Sequence, residues 1–251
     1  MDTPVSAFLK INRGGYSFLL ESVEGGERLA RYSFIGTEPY HVATTRTGDD
    51  TDPLRAVFKE MHKYRIVAVS GLPKFCGGAV GFLSYDAVTK FEELPSPGLD
   101  SLGVPESIFM FVDTVLVFDH ALHKIKVLSH VRLDGDIETE YKKAVSRIDN
   151  LIERLNRPLD PDRQLSSVSS TAGNSKMTSN FSKESFIAGV SKIKEYITAG
   201  EAIQVVLSQR LSRPTQASPF AIYRALRTIN QSPYMFFFDF KDFQLIGAYP
   251  E

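Results

Sequence analysis

The pattern of apolar and polar positions predicts that the chain begins with a β-hairpin, which is followed by a short helix. Residues 16–23 (YSFLLESV) and 28–35 (RLARYSFI) are rich in aromatic and β-favouring side chains. Gly25 and Gly26 lie between them, and adjacent glycines supply the positive φ angles that tight hairpin turns require. Residues 53–64 carry apolar side chains at helical spacing, so this segment is predicted to be a helix.

The middle of the chain is predicted to add an antiparallel strand pair and a long helix. Residues 77–86 (GGAVGFLSYD) indicate a turn that runs into a strand. These glycines match neither G-x-x-x-x-G-K-[ST] nor G-x-G-x-x-G, so close backbone packing explains them better than phosphate binding. Residues 107–118 and 124–133 are predicted to pair as strands, and residues 137–155 have the apolar spacing of a helix.

A change of composition divides the chain into two parts. Residues 166–180 are rich in Ser, Thr, Asn and Gly and have almost no large apolar side chain. Such a segment cannot bury enough surface to offset its ordering entropy. We therefore predict a flexible linker or surface loop over residues 157–180, between an N-terminal part (residues 1–156) and a C-terminal part (residues 181–251).

The C-terminal part is predicted to contain two helices, a buried strand and a hairpin. The first helix begins after Ser182, a favourable N-cap, and ends at Gly200, a typical stop signal. Residues 203–210 (IQVVLSQR) indicate a buried strand. A second helix follows, and residues 234–240 and 243–248 then form a hairpin. The predicted class is α+β, with large antiparallel β-sheets and flanking helices.

Composition narrows the classes of function. The 251 residues (28.0 kDa) are 43% hydrophobic and 24% charged, which is typical of a globular protein. The formal net charge of −1 provides no basic field to attract nucleic acid. No apolar run approaches the ~20 residues that span a bilayer, so we expect no membrane association.

Cysteine and histidine usage argues against disulfides and metal binding. The single cysteine, Cys76, permits no intrachain disulfide and favours a reducing compartment. His120 and His123 flank a predicted hairpin turn and form no zinc spacing with Cys76, so no metal site is predicted from the residues. The N-terminus lacks the features of a signal peptide, which favours a cytoplasmic location. A plastid is the alternative if an upstream targeting segment is missing.

Four segments, taken in order, resemble the large subunit (component I) of anthranilate synthase, a chorismate-utilising enzyme. They are residues 19–36 (LLESVEGGERLARYSFIG), 77–86 (GGAVGFLSYD), 199–210 (AGEAIQVVLSQR) and 232–240 (SPYMFFFDF), the last running into 247–251 (GAYPE). Because they keep the family's order over nearly the whole chain, they are more specific together than any one motif. The resemblance implies that residues 1–156 are the N-terminal domain and that residues 181–251 are the truncated start of the chorismate-binding domain.

The resemblance also implies a reaction and its partners. The family's enzymes are lyases that convert chorismate and glutamine-derived ammonia to anthranilate and pyruvate, the first step of tryptophan biosynthesis. A separate glutamine amidotransferase subunit (component II) releases the ammonia, and the large subunit binds Mg²⁺. In the family, the Mg²⁺ ligands, the catalytic histidine and most chorismate contacts follow the G-A-S-P-E motif that residues 247–251 match. We therefore expect this chain to be a fragment, inactive alone, whose Mg²⁺ ligands lie beyond it.

Two residues match catalytic positions of the family. Glu251 matches the general acid that protonates the departing ring hydroxyl, which is a poor leaving group unless it is protonated. Gln204 matches a position where relatives that add water to chorismate carry a lysine base, and ammonia needs no such activation. Without the resemblance, a surface carboxylate and a polar residue satisfied within a sheet are the alternatives. Tyr249 departs from the family's serine and places a bulky ring beside the proposed acid.

A second site is implied for L-tryptophan, which commonly acts as a feedback inhibitor in this family. The site lies between the L-L-E-S strand and the P-Y-M segment, where a carboxylate and a hydroxyl suit the ammonium group and apolar walls suit the indole ring. Arg31 adds a cation to this set. The matching residues are Glu21, Ser22, Arg31, Pro233, Tyr234 and Met235. The alternative is that the apolar members are simply core.

Two other functions remain open at this point. One is aminodeoxychorismate synthase component I, which aminates chorismate at another carbon and whose distinguishing lysine would lie outside these residues. The other is a non-catalytic, tryptophan-binding regulatory fragment. The intact L-L-E-S and P-Y-M elements favour anthranilate synthase.

Overall fold

The computed structural model describes residues 2–22, 31–46, 48–49, 52–95, 102–160 and 176–249. The helices are α1 (Pro4–Ile11), α2 (Pro53–Met61), α3 (Ile137–Asn156), α4 (Lys183–Ala199) and α5 (Pro219–Ile229), with a 3-10 helix at Tyr85–Lys90. The strands are β1 (Ser17–Glu21), β2 (Tyr32–Thr37), β3 (His41–Thr45), β4 (Gly78–Leu83), β5 (Ser107–Val112), β6 (Thr114–Asp119), β7 (Lys124–Ser129), β8 (Thr178–Ser179), β9 (Leu211–Ser212), β10 (Tyr234–Asp239) and β11 (Gln244–Tyr249).

The described strands form antiparallel sheets, as the sequence predicts. One sheet has six strands in the order β11-β10-β1-β2-β6-β7, a second has the order β3-β5-β4, and β8 pairs with β9. Helices and antiparallel sheets together make the predicted α+β class correct. Strands β1 and β2 pair antiparallel, with Ser17 opposite Thr37. The glycine turn predicted between them lies outside the described residues.

Helix α1 is an element that the sequence analysis did not predict. Thr3 caps it, because its Oγ1 accepts the Ser6 amide at 3.1 Å while Ser6 Oγ accepts the Thr3 amide at 2.9 Å. This reciprocal capping box is completed by Pro4 at the first helical position, where the missing N–H costs nothing. The helix has only two turns, too few for a clear apolar period. For this helix, the capping sequence is therefore a clearer signal than the apolar periodicity.

The apolar run at residues 107–118, predicted as one strand, is divided between two sheets. Strand β5 ends at Val112 and pairs in the three-stranded sheet, whereas β6 begins at Thr114 and pairs in the six-stranded sheet. Asp113 separates them, and its carbonyl accepts the amide of His130 at 2.8 Å. An apolar period cannot show such a change of sheet, because both halves are buried.

Two cores position these elements. One core joins α1, α3 and α5 to the six-stranded sheet, with Phe8, Leu151 and Tyr223 among its buried members. The other joins both larger sheets through side chains such as Val80 and Phe238. Because alternate residues of a strand point to opposite faces, β1 contributes Leu19 to the core with the helices and Phe18 to the core between the two larger sheets.

Residue contacts divide the chain into two compact units. One unit comprises Met1–Leu165 and Pro219–Glu251, and the other comprises Ser166–Ser218. In the described part of the smaller unit, Ser182 Oγ caps α4 by accepting the Ser185 amide at 3.1 Å, and Gly200 ends the helix with a φ of 83°. Residues 161–175 of the predicted linker lie outside the described residues. The predicted domain boundaries stay a prediction.

The prediction of a buried strand at residues 203–210 is wrong. These residues adopt no regular secondary structure, and Ile203 and Val206 are 98% and 81% exposed. The only ladder in the described part of this unit pairs Thr178–Ser179 with Leu211–Ser212. A run of β-favouring residues without a neighbouring strand gains neither ladder hydrogen bonds nor burial, so its propensity alone does not make it a strand.

Candidate functional site

The two segments predicted to bind tryptophan lie on neighbouring strands. Strand β1 pairs antiparallel with β10, and the register places Glu21 opposite Met235. Met235 is buried in the core that also contains Leu19, so its side chain is fixed by packing. The fold therefore brings together the carboxylate and the apolar side chain that the sequence analysis assigned to one site.

The Glu21 carboxylate is buried and receives two hydrogen bonds from α5. Its side chain is only 2% exposed. Tyr223 donates its hydroxyl proton to Glu21 Oε2, and Arg227 donates from Nε to the same oxygen at 3.1 Å. A buried carboxylate is costly unless it is paired and hydrogen-bonded, and these two residues provide both.

Tyr223 and Arg227 were not predicted from the sequence. Tyr223 is fully buried, and its ring stacks on Phe220 at a centroid distance of 5.7 Å and meets Phe237 edge-on at 5.8 Å. Burial, together with the neighbouring charge of Glu21, raises the pKa of the Tyr223 phenol, so it stays a proton donor. The one available signal was their spacing of four residues, which places both on one face of a helix.

A serine–histidine pair lies close to the same carboxylate. A hydrogen bond of 2.8 Å joins Ser33 Oγ on β2 to His120 Nε2 after β6. Burial lowers the pKa of His120, although the nearby charge of Glu21 opposes that effect. The imidazole is therefore largely neutral at neutral pH.

Arg31 is directed toward a different partner. Its Nε and Nη2 each lie 3.3 Å from an oxygen of Asp119, and Lys126 Nζ also lies 3.3 Å from that carboxylate. Burial would raise the pKa of Asp119, but hydrogen bonds from Arg31, the Leu122 amide and Lys126 lower it overall. The predicted role of Arg31 as a cation for the ligand stays a prediction.

The remaining members of the predicted set lie at the ends of the two strands. Ser22 follows β1 and Pro233 precedes β10, and both are half-buried. Tyr234 is 53% exposed, and its amide donates to Ser232 Oγ at 3.1 Å. Its ring meets that of Tyr249 at a centroid distance of 6.2 Å, so the residue that departs from the family's serine flanks the P-Y-M strand.

Comparison with known proteins assigns the family. The family model described as chorismate binding enzyme matches residues 15–251. The chain belongs to the chorismate-binding enzyme family. It is 41% identical over its whole length to anthranilate synthase component 1 of Acetivibrio thermocellus and 42% identical to the probable component 1 of Schizosaccharomyces pombe, covering 54% and 51% of these proteins.

A solved structure supports the same assignment. The crystal structure of anthranilate synthase component I from Streptococcus pneumoniae TIGR4 is similar to this chain, with a TM-score of 0.71 and 30% sequence identity. The similarity covers 88% of this chain and 51% of the solved one. The chain thus spans about half the length of the chorismate-binding relatives it matches.

The catalytic roles of Gln204 and Glu251 stay predictions. Gln204 lies in the exposed, irregular segment of the smaller unit, and Glu251 lies outside the described residues. Within the described residues, no group of three or more His, Cys, Asp or Glu side chains could hold a metal ion, so no Mg²⁺ site is found among them. None of the helices in the described ranges is long and apolar enough to cross a bilayer.

Proposed function

We propose that the chain is the N-terminal part of anthranilate synthase component I, which converts chorismate and glutamine-derived ammonia to anthranilate and pyruvate. The observation that carries this proposal is the 41% identity, over the entire chain, to a protein of that name. In this proposal component II supplies ammonia, the location is cytoplasmic, and residues outside the chain hold Mg²⁺, which would supply electrostatic stabilisation of a bound anion.

In the proposed reaction, Glu251 acts as general acid toward the departing ring hydroxyl. Protonation as the bond breaks lets the hydroxyl leave as water, which lowers the barrier because hydroxide is a poor leaving group. Gln204 provides no base at the position where water-adding relatives have lysine. Ammonia attacks without losing a proton first, so a neutral amide suits amination better than hydration.

The proposal includes feedback inhibition by L-tryptophan at the β1–β10 site. The buried Glu21 carboxylate would accept the ligand's ammonium group, and Met235 and its apolar neighbours would contact the indole ring. Both elements of the site lie on one sheet, and the central position of β1 between β10 and β2 keeps the spacing of the strands fixed.

A chimaera tests the enzymatic proposal. Residues 1–251 are joined to the C-terminal half of the Acetivibrio thermocellus relative, and anthranilate fluorescence is followed with chorismate, Mg²⁺ and an ammonium salt. We expect turnover by the chimaera, none by residues 1–251 alone, and a loss of at least about 100-fold in kcat for Glu251→Gln, the usual scale for a general acid. Glu201→Gln, an exposed glutamate, is the matched control.

The outcomes separate the alternatives. A folded chimaera that binds tryptophan but never forms anthranilate would favour the regulatory fragment over the enzyme. Equal activity of Glu251→Gln and Glu201→Gln would remove the general-acid role. Replacing the ammonium salt by glutamine and a component II subunit tests the partner, because turnover should then require both subunits.

A further inference from the structure

Among the described residues, helix α5 supplies both side-chain hydrogen bonds to the Glu21 carboxylate. Both Tyr223 and Arg227 donate to one oxygen, Oε2. Arg227 is 37% exposed and reaches inward from the surface, whereas Tyr223 is completely buried. One partner therefore provides charge from the solvent side, and the other provides a neutral donor from within the core.

The Tyr223 ring, and with it the hydroxyl oxygen, is held in place by its neighbours. Its ring is held between Phe220 and Phe237, with centroids 5.7 and 5.8 Å away. A buried ring in a densely packed core keeps one orientation, so packing fixes the hydroxyl oxygen beside Glu21 Oε2, and the proton is donated to that carboxylate. The orientation of the carboxylate is fixed in turn.

Helix α5 also leads directly into the second strand of the tryptophan site. The helix ends at Ile229 and β10 begins at Tyr234. The same element thus sets the position of β10 through the chain and the position of the Glu21 carboxylate through hydrogen bonds.

We propose that Tyr223, together with Arg227, is a positioning residue that holds the Glu21 carboxylate in place for the ammonium group of an amino-acid inhibitor. This inference rests on the tryptophan site of the proposed function. Neither residue needs to touch the ligand. Removing the Tyr223 hydroxyl leaves the carboxylate with one described donor and lets it rotate, so the ammonium contact weakens while the indole contacts remain.

Calorimetry on residues 1–251 with two ligands tests this idea. L-Tryptophan carries the ammonium group, and indole-3-propionate has the same ring and carboxylate without it. We expect Tyr223→Phe to weaken tryptophan binding about tenfold, the scale of a hydrogen bond to a charged group, and to leave indole-3-propionate binding unchanged. Glu21→Gln should remove the preference for tryptophan, and adding Tyr223→Phe to it should cause no further loss.

The controls separate positioning from general destabilisation. Tyr141→Phe removes an exposed phenol on α3 and should change neither affinity. If Tyr223→Phe does not fold by circular dichroism, Arg227→Lys keeps the charge but changes the donor geometry, and it should weaken only tryptophan binding by several-fold.

Three results would overturn the inference. Unchanged tryptophan affinity in Tyr223→Phe and Arg227→Lys would show that the carboxylate needs no positioning. Equal weakening of both ligands would indicate a purely structural role. Absence of tryptophan binding by the unmodified chain would overturn the tryptophan site itself, and the inference with it, while leaving the enzymatic proposal to the chimaera.

Discussion

Replacing Gly81 by alanine tests the interpretation that the glycine cluster at residues 77–81 serves close backbone packing. Gly81 lies in β4 and pairs with Phe109 of β5. A Cβ built on Gly81 would lie 1.8 Å from the carbonyl oxygen of Ile108 and 2.8 Å from its carbonyl carbon. Both atoms belong to the backbone, so no side-chain rotation can relieve the overlap.

The expected loss of stability follows from the separation of β4 and β5 that the added Cβ would require. The 1.8 Å approach is far inside van der Waals contact, so β4 and β5 would have to separate by more than about 1 Å, which lengthens the neighbouring ladder hydrogen bonds beyond their normal range. Overpacking of a well-packed site costs about 1–3 kcal/mol, and at the half-buried Gly81 the clash is with backbone, which places the cost at the upper end of that range. For a chain of this size, about 3 kcal/mol corresponds to a decrease in Tm of about 6–12 °C.

The assay is thermal and urea unfolding followed by circular dichroism, with Gly135→Ala as the matched control. A Cβ on Gly135 would meet no atom within 4 Å, so that variant should stay within about 0.5 kcal/mol of the unmodified chain. If Gly81→Ala were as stable as Gly135→Ala, the close approach of β4 to β5 would be wrong. The cluster would then need another explanation.

Three further changes test other parts of the structure. Thr3→Ala should destabilise the chain by about 1 kcal/mol because it removes the cap of α1, while Thr3→Ser should keep the cap, as urea unfolding would show. Because the folded-state pKa of Asp119 is lowered, this residue adds stability above its unfolded pKa of about 3.9, and that stability is lost as the pH falls through the folded pKa. Asp119→Asn should therefore flatten this part of the acid limb of a stability–pH curve, and an unchanged limb would contradict the ion pairs with Arg31 and Lys126. Ile203→Ser should change the free energy of unfolding by less than about 0.5 kcal/mol, whereas the same substitution in a buried strand would lower it by several times more.

Local signals predicted those elements whose ends are set by capping residues or by a short turn. The helix after Ser182 and its end at Gly200 follow from capping chemistry that acts within one turn, and the hairpin around Lys241 follows from strand propensity on both sides of a short turn. The strand predicted at residues 203–210 does not form, because its apolar pattern requires a neighbouring strand and burial that the described residues do not provide. A strand is stabilised by its neighbour, and single-chain patterns do not identify the neighbour.

In the candidate site, too, the sequence identified only some of the side chains that the fold brings together. The family's motifs pointed to Glu21 and Met235, and the β1–β10 register makes them direct neighbours. They did not point to Tyr223, whose hydrogen bond to Glu21 joins residues 202 positions apart. A tyrosine on the apolar face of a helix is ordinarily a core residue, and Tyr223 is one, since its ring is fully buried. Its hydroxyl makes it a candidate for function, because that group donates to Glu21. The position of the hydroxyl depends on how α5 packs against β1 and β10. The hydrogen bond can therefore be identified only once the fold is known.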